Sequence, residues 1–239
     1  MVEQNVTIQQ VMAYPEKIKF AFQPVFDVRS GTVFGHEALM RPFPYSPMDV
    51  IEEFEELGRL NEIEEITTYY AAKRFLELKL EGKLFINSFP AAFVSRDAML
   101  KVKALTQNRL RNRLVVEILE YTKLNVVAWK EKQMQFAKNN VRQMIAIDDF
   151  GTGQNIDQQC IEIYSPDIVK VDRKIISGID SDPEKQRYMD EIILEMNQNH
   201  VEVLAEGVET QGEYEYLKNR SVKYMQGYYL GRPNLYEGQ

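Results

Sequence analysis

Short apolar runs alternate with longer amphipathic stretches along nearly the whole chain. Residues 20–28 are rich in β-branched and aromatic side chains. Arg29-Ser30-Gly31-Thr32 carries turn signals and residues 33–39 read as a second strand, so the pair predicts a hairpin. Helical spacing follows over residues 47–56 and again over 61–78, where Ile63, Ile66, Tyr70 and Ala71 recur on one side. Brief apolar runs at 84–86, 114–118, 144–147, 168–171, 201–205 and 224–225 suit buried parallel strands, and helical patterns fill 126–138, 183–197 and 212–219. Six of these eight strand candidates follow a strand-then-helix rhythm, which argues for parallel strands joined by helical crossovers. Eight strands in 239 residues favour a closed (β/α)8 TIM-like barrel over an open sheet. The opening hairpin breaks the repeat and predicts one early antiparallel strand. Residues 1–17 read as an N-terminal extension or short helix, and 18–239 as the barrel domain.

Composition narrows the chemistry. The net charge of −7, with no basic block, argues against coating long nucleic acid or an anionic membrane. No apolar stretch approaches the ~18 residues of a membrane helix. The opening Met1-Val2-Glu3-Gln4-Asn5 is not a signal peptide. A single cysteine, Cys160, points to a reducing compartment, so a cytoplasmic location is expected. With only His36 and His200 beside that thiol, a His/Cys zinc set cannot be assembled, and any metal must rely mostly on oxygen ligands.

The strand ends supply such ligands. Glu37, Asn87, Glu117, Asp148 with Asp149, Glu206 and Gln226 each stand near the end of a predicted strand, and Lys170 lies inside one. In a barrel of this kind the active site occupies that C-terminal face. Five carboxylates against one lysine cannot all stay ionised in a confined site, so they must share protons or collect cations. Two hard divalent ions, Mg²⁺ or Mn²⁺, would neutralise the set and suit attack of water on a phosphodiester. The same residues also allow a metal-dependent aldolase or enolase-like enzyme with Lys170 as a Schiff-base or proton-transfer group.

The strings themselves add more. Glu37-Ala38-Leu39 with Arg41 resembles the signature of the EAL-domain cyclic di-GMP phosphodiesterases. Phe22-Gln23-Pro24, Asn87-Ser88, Glu117-Ile118-Leu119-Glu120, Asp148-Asp149-Phe150-Gly151-Thr152-Gly153, Lys170-Val171-Asp172, Ala205-Glu206-Gly207-Val208-Glu209-Thr210 and Gln226-Gly227-Tyr228 follow in the family's order. The resemblance spans residues 17–233 and implies hydrolysis of cyclic di-GMP to linear pGpG. It implies that Glu37, Asn87, Glu117 and Asp148 hold one metal, and that Asp148 and Asp149, helped by Glu206, hold a second. Lys170 would orient the attacking water and Gln226 would position it or the second-metal surroundings. Arg41 would meet a phosphate oxygen, and Gln23 and Leu39 would line the dinucleotide site. Glu120 and Glu209 would support the loop after Asp149. A homodimer through that loop and a neighbouring helix is also implied.

One stretch departs from the family. Where relatives carry Tyr-Ser-Ser or Tyr-Asn after the glycine pair, this chain has Gln154-Asn155-Ile156-Asp157, about one residue longer before Ser165-Pro166-Asp167. That bears on activity, metal affinity and dimer coupling, and leaves a cyclic di-GMP receptor or a partner-binding scaffold as the alternatives. Elsewhere the bland readings hold. His36 should point away from Glu37, His200 should be exposed, Cys160 should pack, and the acidic run 52–65 should be a solvated helix face. The tyrosines 214, 216, 224, 228 and 229 should serve packing.

Overall fold

The computed structural model describes residues 6–92, 95–106, 109–110, 112–119, 126–138, 143–151 and 158–237. Among them, eight strands close into a barrel in sequence order. They are β1 (Lys19–Asp27), β2 (Thr32–Arg41), β3 (Lys83–Ser88), β4 (Leu114–Ile118), β5 (Gln143–Phe150), β6 (Ile168–Val171), β7 (Glu202–Ala205) and β8 (Tyr224–Met225). Strand β1 runs antiparallel to both β2 and β8, and every other pairing is parallel. The expected barrel and its one antiparallel early strand are both present. Asp27 sets the hairpin turn by accepting the N–H groups of Arg29 and Ser30 at 2.9 and 3.0 Å.

The helices are α1 (Ile8–Met12), α2 (Pro47–Glu56), α3 (Leu60–Glu77), α4 (Arg96–Thr106), α5 (Val126–Lys138), α6 (Gln158–Tyr164), α7 (Arg173–Ile176), α8 (Pro183–Gln198) and α9 (Gln211–Asn219). Local chemistry starts several of them. Ser46 and Asp49 form a capping box ahead of α2, with Pro47 in its first turn, and Thr210 and Glu213 do the same for α9. Three helices, α4, α6 and α7, were not legible from periodicity, which is weak over stretches of a few turns. Within residues 1–17, Thr7 and Gln10 form a capping box on α1, which buries Met12, and a 3₁₀ turn follows at Pro15–Lys17.

The barrel interior explains where the polar residues go. Val25, Phe85, Val115, Ala146, Ile168, Leu204 and Tyr224 form an inner apolar plug. A strand shows alternate residues to the same face. Two residues beyond the plug, towards the C-terminal ends of the parallel strands, stand Asn87, Glu117, Asp148, Lys170, Glu206 and Gln226. On antiparallel β1 the matching residue is Gln23, two before Val25 and paired across the hairpin with Glu37. A register shift leaves Phe34 without a partner on β1, and this bulge turns its ring into the plug, 4.2 Å from Tyr224. Gly35 gives that layer room, because a Cβ there would lie 2.9 Å from the Phe85 ring and 2.6 Å from the Lys83 carbonyl.

The bland readings are mostly met. His36 faces outward against Phe75, and burial lowers its pKa, so it stays neutral. His200 is exposed, and Cys160 is half-buried against the core. Tyr224 belongs to the plug, Tyr214 packs on Tyr229 at 5.5 Å, and Arg232 covers exposed Tyr228. The acidic run 52–65 is corrected at one position. Glu64 is buried, because Lys132 of α5 reaches it at 2.8 Å. No helix among the described residues is long and apolar enough to cross a membrane.

Candidate active site at the mouth of the barrel

Lys170 stands at the centre of the site. Its Nζ is buried and lies 2.6 Å from Glu117 Oε1, 2.7 Å from Glu206 Oε1, 2.8 Å from Asp148 Oδ1 and 3.9 Å from Glu37 Oε2. These are ion-pair contacts, and among the described residues Glu117 Oε1 and Asp148 Oδ1 accept no aligned hydrogen bond. Gln226 Nε2 donates to Glu37 Oε2 at 2.7 Å, which ties the last strand to the second across the barrel.

Asp148 and Asp149 pose a geometric problem, since neighbours on a strand point to opposite faces. The β5–β6 register shifts between Ile147 and Phe150, and Asp149 takes φ +52°, in the left-handed region. That kink lets both carboxylates face one site. Oxygens of Asp148, Asp149 and Glu206 lie within 4.8 Å of one another. The kink is braced one turn on, where Gly151 at φ +93° gives its carbonyl to the Tyr188 hydroxyl at 3.0 Å.

Asn87, Glu37, Leu39, Arg41 and Asp148 line one cavity of 230 Å³ at this end of the barrel. Arg41 also borders a larger groove of 790 Å³ beside α1, where Tyr14, Lys17 and Phe43 stand. Glu37 and Asp148 line the smaller cavity and no carboxylate lines the larger groove, so the chemistry belongs to the smaller one. Gln23 stays apart from it, its amide donating to the Gly231 carbonyl at 3.1 Å. Glu209 is also outside the cluster and pairs with Arg173 at 2.8 Å. Glu120 and the divergent segment 154–157 lie outside the described residues.

The charges are held under strain. Burial, followed by the Glu37 and Asp148 charges, raises Glu117 well above the usual carboxylate range despite Lys170. Burial and the neighbouring Asp148 and Asp172 push Asp149 up to about 6. Burial, with Asp148 and Glu37 against Lys170, pushes Glu206 up to about 8. Burial alone would lower Lys170, but Asp148, Glu117, Glu206 and Glu37 hold it well above its usual value. The buried Glu117 Oε2 and Gln226 Oε1 meet no hydrogen-bond partner among the described residues. Unpartnered buried oxygens beside surplus negative charge are what a divalent cation would satisfy, and carboxylates with one amide are hard ligands suited to Mg²⁺ or Mn²⁺.

A pH dependence follows. These carboxyls bind protons more tightly in the folded chain than in the unfolded one. Above the ordinary carboxylate range the folded state therefore carries the extra protons, and its stability falls as pH rises through about 6 and about 8. Cations compete with those protons, so their affinity rises over the same window. Melting curves of EDTA-treated protein between about pH 5 and about pH 8.5 should show Tm falling with pH and the Mn²⁺-induced gain growing. A metal-free Tm that climbs throughout would contradict this.

A family model described as "EAL domain" matches residues 9–233. The probable cyclic di-GMP phosphodiesterase PdeN of Escherichia coli K12 is 28% identical over 228 residues, covering 91% of this chain and 44% of its own length. The chain thus spans less than half of that relative. A standalone versatile EAL protein from Vibrio cholerae O395, solved in its c-di-GMP bound form, superposes with a TM-score of 0.79 at 28% identity, covering 91% of this chain and 92% of the other. The manganese/cy-diGMP complex of Klebsiella pneumoniae BlrP1 at pH 9.0 gives 0.74 at 26% identity, covering 91% of this chain and 56% of its own.

Proposed function

This chain belongs to the EAL domain family, and from that membership we propose that it hydrolyses cyclic di-GMP to linear pGpG with two Mg²⁺ or Mn²⁺ ions. The observation that carries the reading is the set of four carboxylates gathered on Lys170, with Glu117 Oε2 buried beside them and without a hydrogen-bond partner among the described residues. Relatives named as cyclic di-GMP phosphodiesterases and a manganese/cy-diGMP complex of the same fold support it.

Glu37, Asn87, Glu117 and Asp148 would hold one ion, and Asp148, Asp149 and Glu206 the other. When bound, the ions supply an acidified water and offset charge on the phosphoryl oxygens. The side chains do the rest. Gln226 holds Glu37 by its hydrogen bond and would position the water or the second-metal surroundings. Carboxylates drawn to cations would loosen their ion pairs with Lys170, leaving its ammonium, still protonated, to orient the attacking water and steady the phosphate. Arg41 on the cavity rim would take a phosphate oxygen, Leu39 would pack on the dinucleotide, and Gln23 would brace the C-terminal segment beside it. Glu209 and Glu120 would act on the loop after Asp149. The barrel would work in the cytoplasm, as a homodimer through that loop and a neighbouring helix.

Incubation with cyclic di-GMP and Mg²⁺ or Mn²⁺, followed by chromatography, should yield pGpG. Intact binding of cyclic di-GMP with no pGpG under either metal would instead favour a receptor, the reading that the Gln154-Asn155-Ile156-Asp157 departure suggests.

A further inference from the structure

Immediately after Asn87 the chain is gripped by a buried charged network that the proposed chemistry does not use. Asn87 and Ser88 are neighbours on β3, so their side chains leave opposite faces. Asn87 meets the cavity, whereas Ser88 points into the layer between barrel and helices. There Ser88 Oγ donates to Glu64 Oε1 at 2.7 Å, and Lys132 Nζ donates to Glu64 Oε1, Ser88 Oγ and the Phe89 carbonyl at 2.8, 2.9 and 2.9 Å. The Phe89 N–H donates to Glu64 Oε2 at 2.8 Å. Every Lys132 proton is used, and both backbone groups of Phe89 are held. Among the ion pairs of the described residues outside the site, this is the one with both side chains buried, at 0% and 3% exposure.

Stability alone does not account for such an arrangement. Desolvating two charges offsets most of their attraction, and an apolar pair of similar volume would pack the helices as well. What the charges add is direction. Glu64 comes from α3 and Lys132 from α5, so the two helices flanking β3 and β4 clamp one point at the tip of β3. The β3–β4 ladder ends there. Asn87 pairs with Glu117, Ser88 pairs with Ile118, and one further bond runs from the Leu119 N–H to the Ser88 carbonyl at 3.2 Å. The clamp therefore lies one residue from two proposed ligands of the same ion.

We infer that Lys132 and Glu64 are positioning residues that set Asn87 and Glu117 for cation binding, an inference that rests on the metal-dependent reading above. The side chains touch neither ion nor nucleotide; they act through the β3 tip. Residues that orient ligands from behind in this way typically govern affinity by about 10- to 100-fold.

The test is Mn²⁺ binding by calorimetry, which needs no turnover. Lys132→Met/Glu64→Met removes both charges together and avoids leaving one buried alone. Half-saturation for one Mn²⁺ equivalent is expected to rise about tenfold, with the second equivalent less affected. Leu217→Ala, buried on α9, serves as a destabilised control and should bind Mn²⁺ like the parent chain. A folded double variant that binds both equivalents within about twofold of the parent would overturn the inference. If the double variant does not fold, Ser88→Ala removes one hydroxyl from the clamp. It should weaken one equivalent severalfold, and unchanged binding would again overturn the inference. A parent chain that makes no pGpG, together with a double variant that loses Mn²⁺ affinity, would sink the proposed reaction and leave the positioning role standing.

Discussion

Lys170→Met should lower kcat about a hundred- to a thousandfold while changing the affinity for cyclic di-GMP far less. On the proposed reaction the ammonium would face the charge that develops on the phosphate, so its effect would belong to the transition state. Stability should show a second, independent signature. In the ion-free chain Lys170 is the cation against which Glu117, Glu206 and Asp148 lie at 2.6 to 2.8 Å. Removing it leaves buried carboxylates with no partner, a class of change that costs about 3–5 kcal/mol. The loss should be greatest at neutral pH and shrink as acid protonates the carboxylates, and added Mn²⁺ should restore much of it. Thermal melts with and without Mn²⁺ read this directly. A variant as stable as the parent in EDTA, or one losing rate and affinity equally, would argue against a central cation.

Glu117→Gln should separate activity from stability in the opposite sense. The side chain is fully buried, and its Oε2 has no hydrogen-bond partner among the described residues. Burial and the nearby Glu37 and Asp148 charges disfavour its ionised form, so the neutral amide relieves repulsion in the ion-free chain. The metal-free protein should melt no lower than the parent. Turnover should nevertheless fall by about a hundredfold or more, with a matching loss of one Mn²⁺ equivalent, because the amide oxygen is a far weaker ligand than a carboxylate. Functional sites commonly trade stability for activity in this way. A variant that melts much lower and retains normal turnover would reverse both expectations.

The strands, their parallel order and the one antiparallel member follow from apolar runs and crossover lengths, which are local properties. The inward set at Glu37, Asn87, Glu117, Asp148, Lys170, Glu206 and Gln226 was legible because most stand at or near a strand end, with Lys170 inside one, and strand period two sends them to the same face as the plug. The facts set by distant pairing were not legible. Asp148 and Asp149 share a side only because β5 shifts register against β6 and Asp149 turns left-handed. Gln226 stands at a strand end, but that its amide N–H meets Glu37, 189 residues earlier, depends on closure of the barrel. Glu64 sits in an acidic run that looks solvated, and its burial depends on Lys132 arriving from another helix. A buried ion pair leaves no periodic trace, since each half alone looks like surface. A lysine at a buried helical position such as Lys132 was the available signal.

The central claim is that the mouth of this barrel is a cation-dependent phosphodiester-cleaving site. It is tested most directly by stripping the protein with excess EDTA, supplying cyclic di-GMP, and then titrating Mn²⁺ while pGpG is followed. The account predicts no product in EDTA and turnover that appears with added Mn²⁺ and saturates near two ions per chain. Undiminished hydrolysis in excess EDTA would contradict it.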